Sequence, residues 1–195
     1  MRIASSPWSW GPTRDRCDMR IDAHQHFWRY DAESYPWIGT DVLRQDYLPE
    51  DLAPLLKAVG FDGSVVVQAR SSWQENGWLL SLADEYPFIK GVVGWADLLV
   101  PDLAERLEAL TAHPKFSGVR CGIVPSDHDP HQPHPDLLRG LASLTAAGLT
   151  FDLLLRPPQL PLARALVEAA PDQRFVLDHI AKPRIGAEWD AVWDH

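Results

Sequence analysis

A chain of 195 residues, 46% hydrophobic and 23% charged, has the composition of a globular protein large enough for one substantial core. Its net charge of −9 argues against nucleic acid and anionic membrane surfaces as partners, because both require a basic face. No apolar run reaches the roughly 18 residues that span a bilayer. The two cysteines, Cys17 and Cys121, lack any CxxC spacing and fit free thiols in a reducing compartment, so a cytoplasmic location is expected.

Residues 1–18 are rich in Ser, Pro and Arg, have no hydrophobic period, and lack the apolar core of about 7–15 residues that a secretory signal carries. We expect a disordered leader there, with the folded region running from 19 to 195. Six short apolar or β-branched runs follow as strand candidates: Ile21–His26, Gly63–Ala69, Gly91–Leu98, Phe116–Val124, Leu149–Leu155 and Arg174–Ile180. Runs this apolar predict strands covered on both faces, the sixth (Phe175–Leu177) included. Amphipathic helical patterns separate them. The first places Leu52, Leu55, Leu56 and Val59 on one stripe, with Pro49 at its front and Gly60 at its stop. Further stripes are Trp78, Leu79, Leu82 and Tyr86, then Leu103, Leu107 and Leu110, then Leu137, Leu138, Leu141 and Leu144, then Leu162, Leu166 and Val167. The closing "EWDAVWDH" reads as the opening of one more helix.

Strands alternating with helices imply a parallel α/β fold. No glycine-rich phosphate turn follows the first strand, where a doubly wound sheet would carry it; His26-Phe27-Trp28 stands there instead. A (β/α)8 barrel of the TIM type places its chemistry at the C-terminal strand ends, where His24, His26 and His179 all fall. With about six of eight βα units counted, the expected architecture is an incomplete barrel, its N-terminal three-quarters.

Residues i and i+2 of a strand share a face, so His24 and His26 project together while Gln25 points away. Two imidazoles at a strand end can grip one divalent metal; the plain alternative is a hydrogen-bonded polar pair. His179 gains weight as a third site residue only beside that pair. Asp178 is read as pointing outward or bonded to backbone, Lys182 as a solvated loop cation, and Asp152 as either an inward carboxylate or a brace to the next strand. His128, His131 and His134 recur every three residues, but Pro130, Pro133 and Pro135 forbid a regular helix, so a solvated loop is expected.

Taken together, "IDAHQHFW", "YPWI", "GVVGWADL", "GVR", "LTFDLLL" and "FVLDHIAKP" resemble the amidohydrolase superfamily. Within it they resemble the amidohydrolase-2 branch, which includes sugar lactonases of the L-fuconolactonase and L-rhamnono-lactonase type. The resemblance runs from about Arg20 onward. It implies a (β/α)8 barrel, hydrolysis of a lactone ester bond in a small sugar-derived substrate, and in some members a divalent metal such as zinc. On it, His24, His26 and His179 are metal ligands, and Arg120 binds substrate or the oxyanion. Gln68 would meet a sugar hydroxyl, with a capped strand end as the bland alternative; for Arg120 the alternative is a salt bridge within the barrel. Trp28, Tyr35 and Trp37 lie in a long aromatic segment expected over the site, where they either stack on a sugar or pack the loop. The family's His after GVR is Cys121 here, and its eighth-strand Asp, the expected general base, has no counterpart, so little or no hydrolysis is expected of the chain as given. A metal-dependent decarboxylase of the same superfamily and a non-catalytic truncated remnant are the alternatives. The sequence carries no reading of oligomeric state.

Overall fold

The computed structural model of this protein describes residues 19–183. The expected leader, residues 1–18, and the expected helix start in "EWDAVWDH" lie outside the described residues.

Six strands form one parallel sheet: β1 (Ile21–Gln25), β2 (Gly63–Val67), β3 (Ile89–Gly94), β4 (Phe116–Cys121), β5 (Thr150–Leu153) and β6 (Phe175–Leu177). Five helices lie between them: α1 (Pro49–Val59), α2 (Trp73–Glu85), α3 (Leu103–Thr111), α4 (Pro135–Ala146) and α5 (Leu160–Ala169). The strands are ordered β1-β2-β3-β4-β5-β6, each pairing with its successor. A doubly wound sheet reverses direction at a switch point. This order never reverses, which is barrel topology.

The sheet is also strongly curled. Laid flat, strands spaced about 4.8 Å apart would put β1 roughly 24 Å from β6. Instead His24 of β1 lies 3.4 Å from Asp178, the residue after β6. The result is a curled half-barrel, an incomplete (β/α)8 fold, with the C-terminal ends of its first and sixth strands brought together.

The core lies between sheet and helices. Val66, Val92, Val119 and Phe151 from the strands pack with Leu79, Leu107, Leu141, Leu144 and Leu166 from the helices. Local chemistry sets the helix ends. Pro49 opens α1, Asp51 accepts the backbone N–H of Leu48 at 2.9 Å, and Gly60 takes the left-handed conformation (φ 74°) that stops the helix.

Two expectations of burial fail. Of the α1 stripe only Leu56 is buried, while Leu55 and Val59 are 62% and 60% exposed. The helix rests on the sheet along a narrower stripe than its leucine content suggested. In β6, Val176 and Leu177 are 44% and 40% exposed; among the described residues β6 pairs only with β5. The strands also end earlier than their apolar runs. β3 stops at Gly94 because both backbone groups of Trp95 are bonded to the Asn76 side chain, which removes them from the ladder. No helix among the described residues is long and apolar enough to cross a membrane.

Candidate active site

The C-terminal ends of β1, β2, β4 and β6 converge on one polar cluster. His24 leaves β1, and His26 follows just beyond its end with its Nε2 3.3 Å from the Nε2 of His24. The hydrogen-bond partners fix both tautomers. His26 Nδ1 lies 2.8 Å from the carbonyl oxygen of Val67, which can only accept, so Nδ1 carries the proton and Nε2 the lone pair. Arg120 can only donate, and its guanidinium lies 3.3 Å from His24 Nε2, so that atom is a lone pair too. His24 Nδ1–H then points at Asp178 Oδ1, 3.4 Å away. Two imidazole lone pairs therefore face one another, an arrangement that a cation between them would satisfy.

Arg120 is buried and held from three sides. It donates to Asp178 Oδ2 at 3.1 Å, to the Gln68 carbonyl at 2.5 Å, and to His24. In return, the Gln68 amide donates to the Arg120 carbonyl at 3.3 Å. Sequence reasoning offered substrate binding or a barrel salt bridge for Arg120, and the structure places it in the salt bridge and at the cluster at once. Through its bond to the Arg120 carbonyl, the Gln68 side chain braces the end of β2 against β4.

Asp178 is the residue that sequence reasoning missed. It is 3% exposed and joins Arg120 to His24. Burial opposes its ionisation, yet hydrogen bonds from His24 and Arg120 outweigh that and hold its carboxyl below the usual aspartate range. The error came from the strand boundary. A strand running through to Ile180 would face Asp178 and His179 oppositely, but β6 ends at Leu177. His179, Ile180, Ala181 and Lys182 then take left-handed backbone conformations, with φ between 45° and 53°. Such residues each cost on the order of 1 kcal/mol, and runs of them cluster at functional sites. This turn carries Asp178 inward and brings the exposed His179 ring to 4.7 Å from that of His24.

His24, Asp178 and His179 each offer a ligand atom, all within 4.8 Å of one another. The expected trio was His24, His26 and His179; the structure adds Asp178 and sets His26 beside His24. The donor set of imidazole nitrogen and carboxylate oxygen, with the His26 Nε2 lone pair beside it, fits zinc or a similar divalent cation. His26 is lowered to about 4, first by burial and then by the nearby Arg120 charge, against the opposing bond to Val67. It is neutral and ligand-ready at physiological pH. His179 is lowered by burial and then by His24. Asp152 is raised to about 6, by burial first and the charge of Asp178 second.

The remaining expectations resolve as follows. Trp28 and Tyr35 are buried with Ile38 and Ala69, and Trp28 donates to the Gln45 carbonyl at 2.9 Å, so both pack the loop. Trp37 keeps half its surface exposed, edge-on to Trp28, and donates to the Ala69 carbonyl at 2.8 Å. Cys121 is a free thiol pushed up to about 12 by burial and then by Asp97, which makes it unreactive. Lys182 is exposed. His134 caps α4 by accepting the Asp136 N–H, while His128 and His131 are exposed. Among the described residues, these three histidines do not form a metal-binding group.

Comparison with known proteins agrees with this geometry. A family model described as amidohydrolase matches residues 21–195. An L-fucono-1,5-lactonase from Burkholderia multivorans is 42% identical over 88% of this chain and 58% of its own length. A second, from Burkholderia ambifaria, is 35% identical over 89% of this chain and 61% of its own. The chain thus spans less than two thirds of these curated relatives. A crystal structure of an amidohydrolase from Burkholderia multivorans with bound zinc superposes with a TM-score of 0.78 at 39% identity, covering 91% of this chain and 63% of that one. On the family match, on relatives this similar, and on a barrel mouth lined by His24, His26, Arg120, Asp178 and His179, the chain belongs to the amidohydrolase family.

Proposed function

We propose that this chain forms the carbonyl-activating part of a lactonase, which opens the ester bond of a small sugar lactone with water. The observation that carries the reading is the buried Arg120–Asp178 pair seated against His24 at the strand ends. The similarity to L-fucono-1,5-lactonases supports a sugar-derived substrate.

His24, His26, Asp178 and His179 are the residues that would hold a divalent cation. Bound there, the ion would supply Lewis-acid polarisation and a more acidic water. The protein's own residues do the rest. His26 presents a neutral Nε2, its proton fixed on Nδ1 by Val67. Asp178 stays ionised and keeps the imidazole of His24 oriented. Arg120 is pre-aimed by Asp178 and by the Gln68 carbonyl, so its positive charge can meet the developing oxyanion without reorganising. The half-exposed face of Trp37 is available to a sugar ring. A cytoplasmic location, supported by the low cysteine count, belongs to the same reading.

The test is hydrolysis of L-fucono-1,5-lactone by the purified chain with added zinc, alongside binding of L-fuconate followed by NMR. We expect binding to perturb Arg120, and Arg120→Ala and His24→Ala to abolish both that binding and any hydrolysis above the buffer rate. Hydrolysis or binding that survives both substitutions would remove the site from the reaction.

A further inference from the structure

Glu75 stands in the first turn of α2, yet it is only 1% exposed. A buried carboxylate on a helix that faces a sheet needs a reason. Its Oε2 accepts the backbone N–H groups of Ala69 and Arg70, each at 3.1 Å. These two residues follow β2, where the ladder has ended. Its Oε1 is buried without a partner, so the carboxyl is placed for those two amides and not for its own solvation.

The segment it grips leads straight to the site. Gln68, one residue earlier, gives its carbonyl to the Arg120 guanidinium at 2.5 Å. Ala69 gives its carbonyl to Trp37 at 2.8 Å. The next residue on the helix, Asn76, makes the matching grip on β3, bonding both backbone groups of Trp95 at 2.8 Å. One helical turn therefore fixes the exits of two adjacent strands.

We propose that Glu75 is a positioning residue for this site: by clamping the Ala69 and Arg70 amides it fixes the Gln68 carbonyl, and through it the Arg120 guanidinium. Glu75 touches no substrate. An ordinary core residue at this position would fill space equally well but leave two amides unbonded and the Gln68–Arg70 segment free to turn. The kinetic consequence rests on the lactonase reading; the geometric one does not.

The test therefore has separate arms, all on the full chain. In the wild type, hydrogen exchange at the Ala69 and Arg70 amides should be at least about 100-fold slower than in free peptide, as for amides bonded within a folded core. Fast exchange at both would overturn the clamp. Glu75→Ala should shift the Arg120 Nε–H resonance, while Glu75→Gln, which keeps an oxygen for both amides, should restore it. An Arg120 resonance unmoved in a folded Glu75→Ala, or displaced as far in Glu75→Gln, would overturn the proposal. Should Glu75→Ala not fold, wild-type exchange and Glu75→Gln decide it. In lactone hydrolysis, Glu75→Ala should lower kcat roughly 10- to 100-fold, as a misplaced catalytic group does, with KM little changed. If the wild type neither opens the lactone nor binds L-fuconate, the lactone reading falls and the exchange and resonance arms still judge Glu75.

Discussion

Taking the Asp178 carboxylate out of the barrel mouth strands two donors, the guanidinium of Arg120 and the Nδ1–H of His24. Asp178→Asn keeps the shape but leaves the buried Arg120 charge uncompensated. Breaking one side of such a pair costs about 3–5 kcal/mol. We expect that loss in urea unfolding at pH 7, and a wild-type midpoint in the variant would refute it. The pH dependence follows from the sign of the shift. The folded carboxyl titrates below its ordinary value of 3.8, so its contribution is complete above that pH and is lost as pH falls through the lower folded value. The gap between wild type and Asp178→Asn should therefore close only under acid conditions. At this scale the sequence was unevenly legible. His24 and His26 could be placed together because the two-residue period of a strand is rigid. Asp178 could not, because its direction depends on where β6 stops, and nothing in "FVLDHIAKP" marks Leu177 as the last strand residue. Glu75 was hidden for a different reason: a glutamate in a first helical turn ordinarily serves the helix dipole in solvent.

Among the elements, the helix positions were legible from their leucine stripes, and their closest contacts were not. α4 meets the loop after β3 with no gap at Gly140. A Cβ there would sit 2.2 Å from the Leu98 carbonyl oxygen and 3.0 Å from its carbonyl carbon. Backbone atoms cannot rotate aside, so Gly140→Ala must push α4 outward. Overpacking of this kind costs about 1–3 kcal/mol, although alanine improves a free helix by about 1 kcal/mol. Gly77 in α2 is the control, since a Cβ there meets nothing within 4 Å. Thermal melts should show Gly140→Ala lowered and Gly77→Ala slightly raised. If both rise, α4 is not seated on that loop. No periodicity separates these two glycines; only the tertiary neighbour does. The same limit explains α1, whose four apolar residues read as one stripe although only Leu56 reaches full burial.

At the scale of the whole molecule, strand–helix alternation was enough to predict the parallel sheet, and the missing phosphate turn was enough to prefer a barrel. The curl itself could not be read, since it depends on strand twist summed over six strands. Its outcome is that residues more than 150 positions apart in the chain, His24 and Asp178, become neighbours. A cation held by His24, Asp178 and His179 would thus tie the first strand of the sheet to the turn after the last one described. It would bind the folded chain and find no such site in the unfolded one. Zinc at about 100 times its dissociation constant should then add about 2.7 kcal/mol. For a chain of this length that corresponds to roughly 5–10 °C in Tm. EDTA should remove the increment, His24→Ala and His179→Ala should prevent it, and His131→Ala, in the exposed loop, should leave it whole. An increment that survives His24→Ala and disappears in His131→Ala would move the metal to the loop. The absence of any increment would leave Arg120, 3.3 Å from His24 Nε2, as the cation that this lone pair serves.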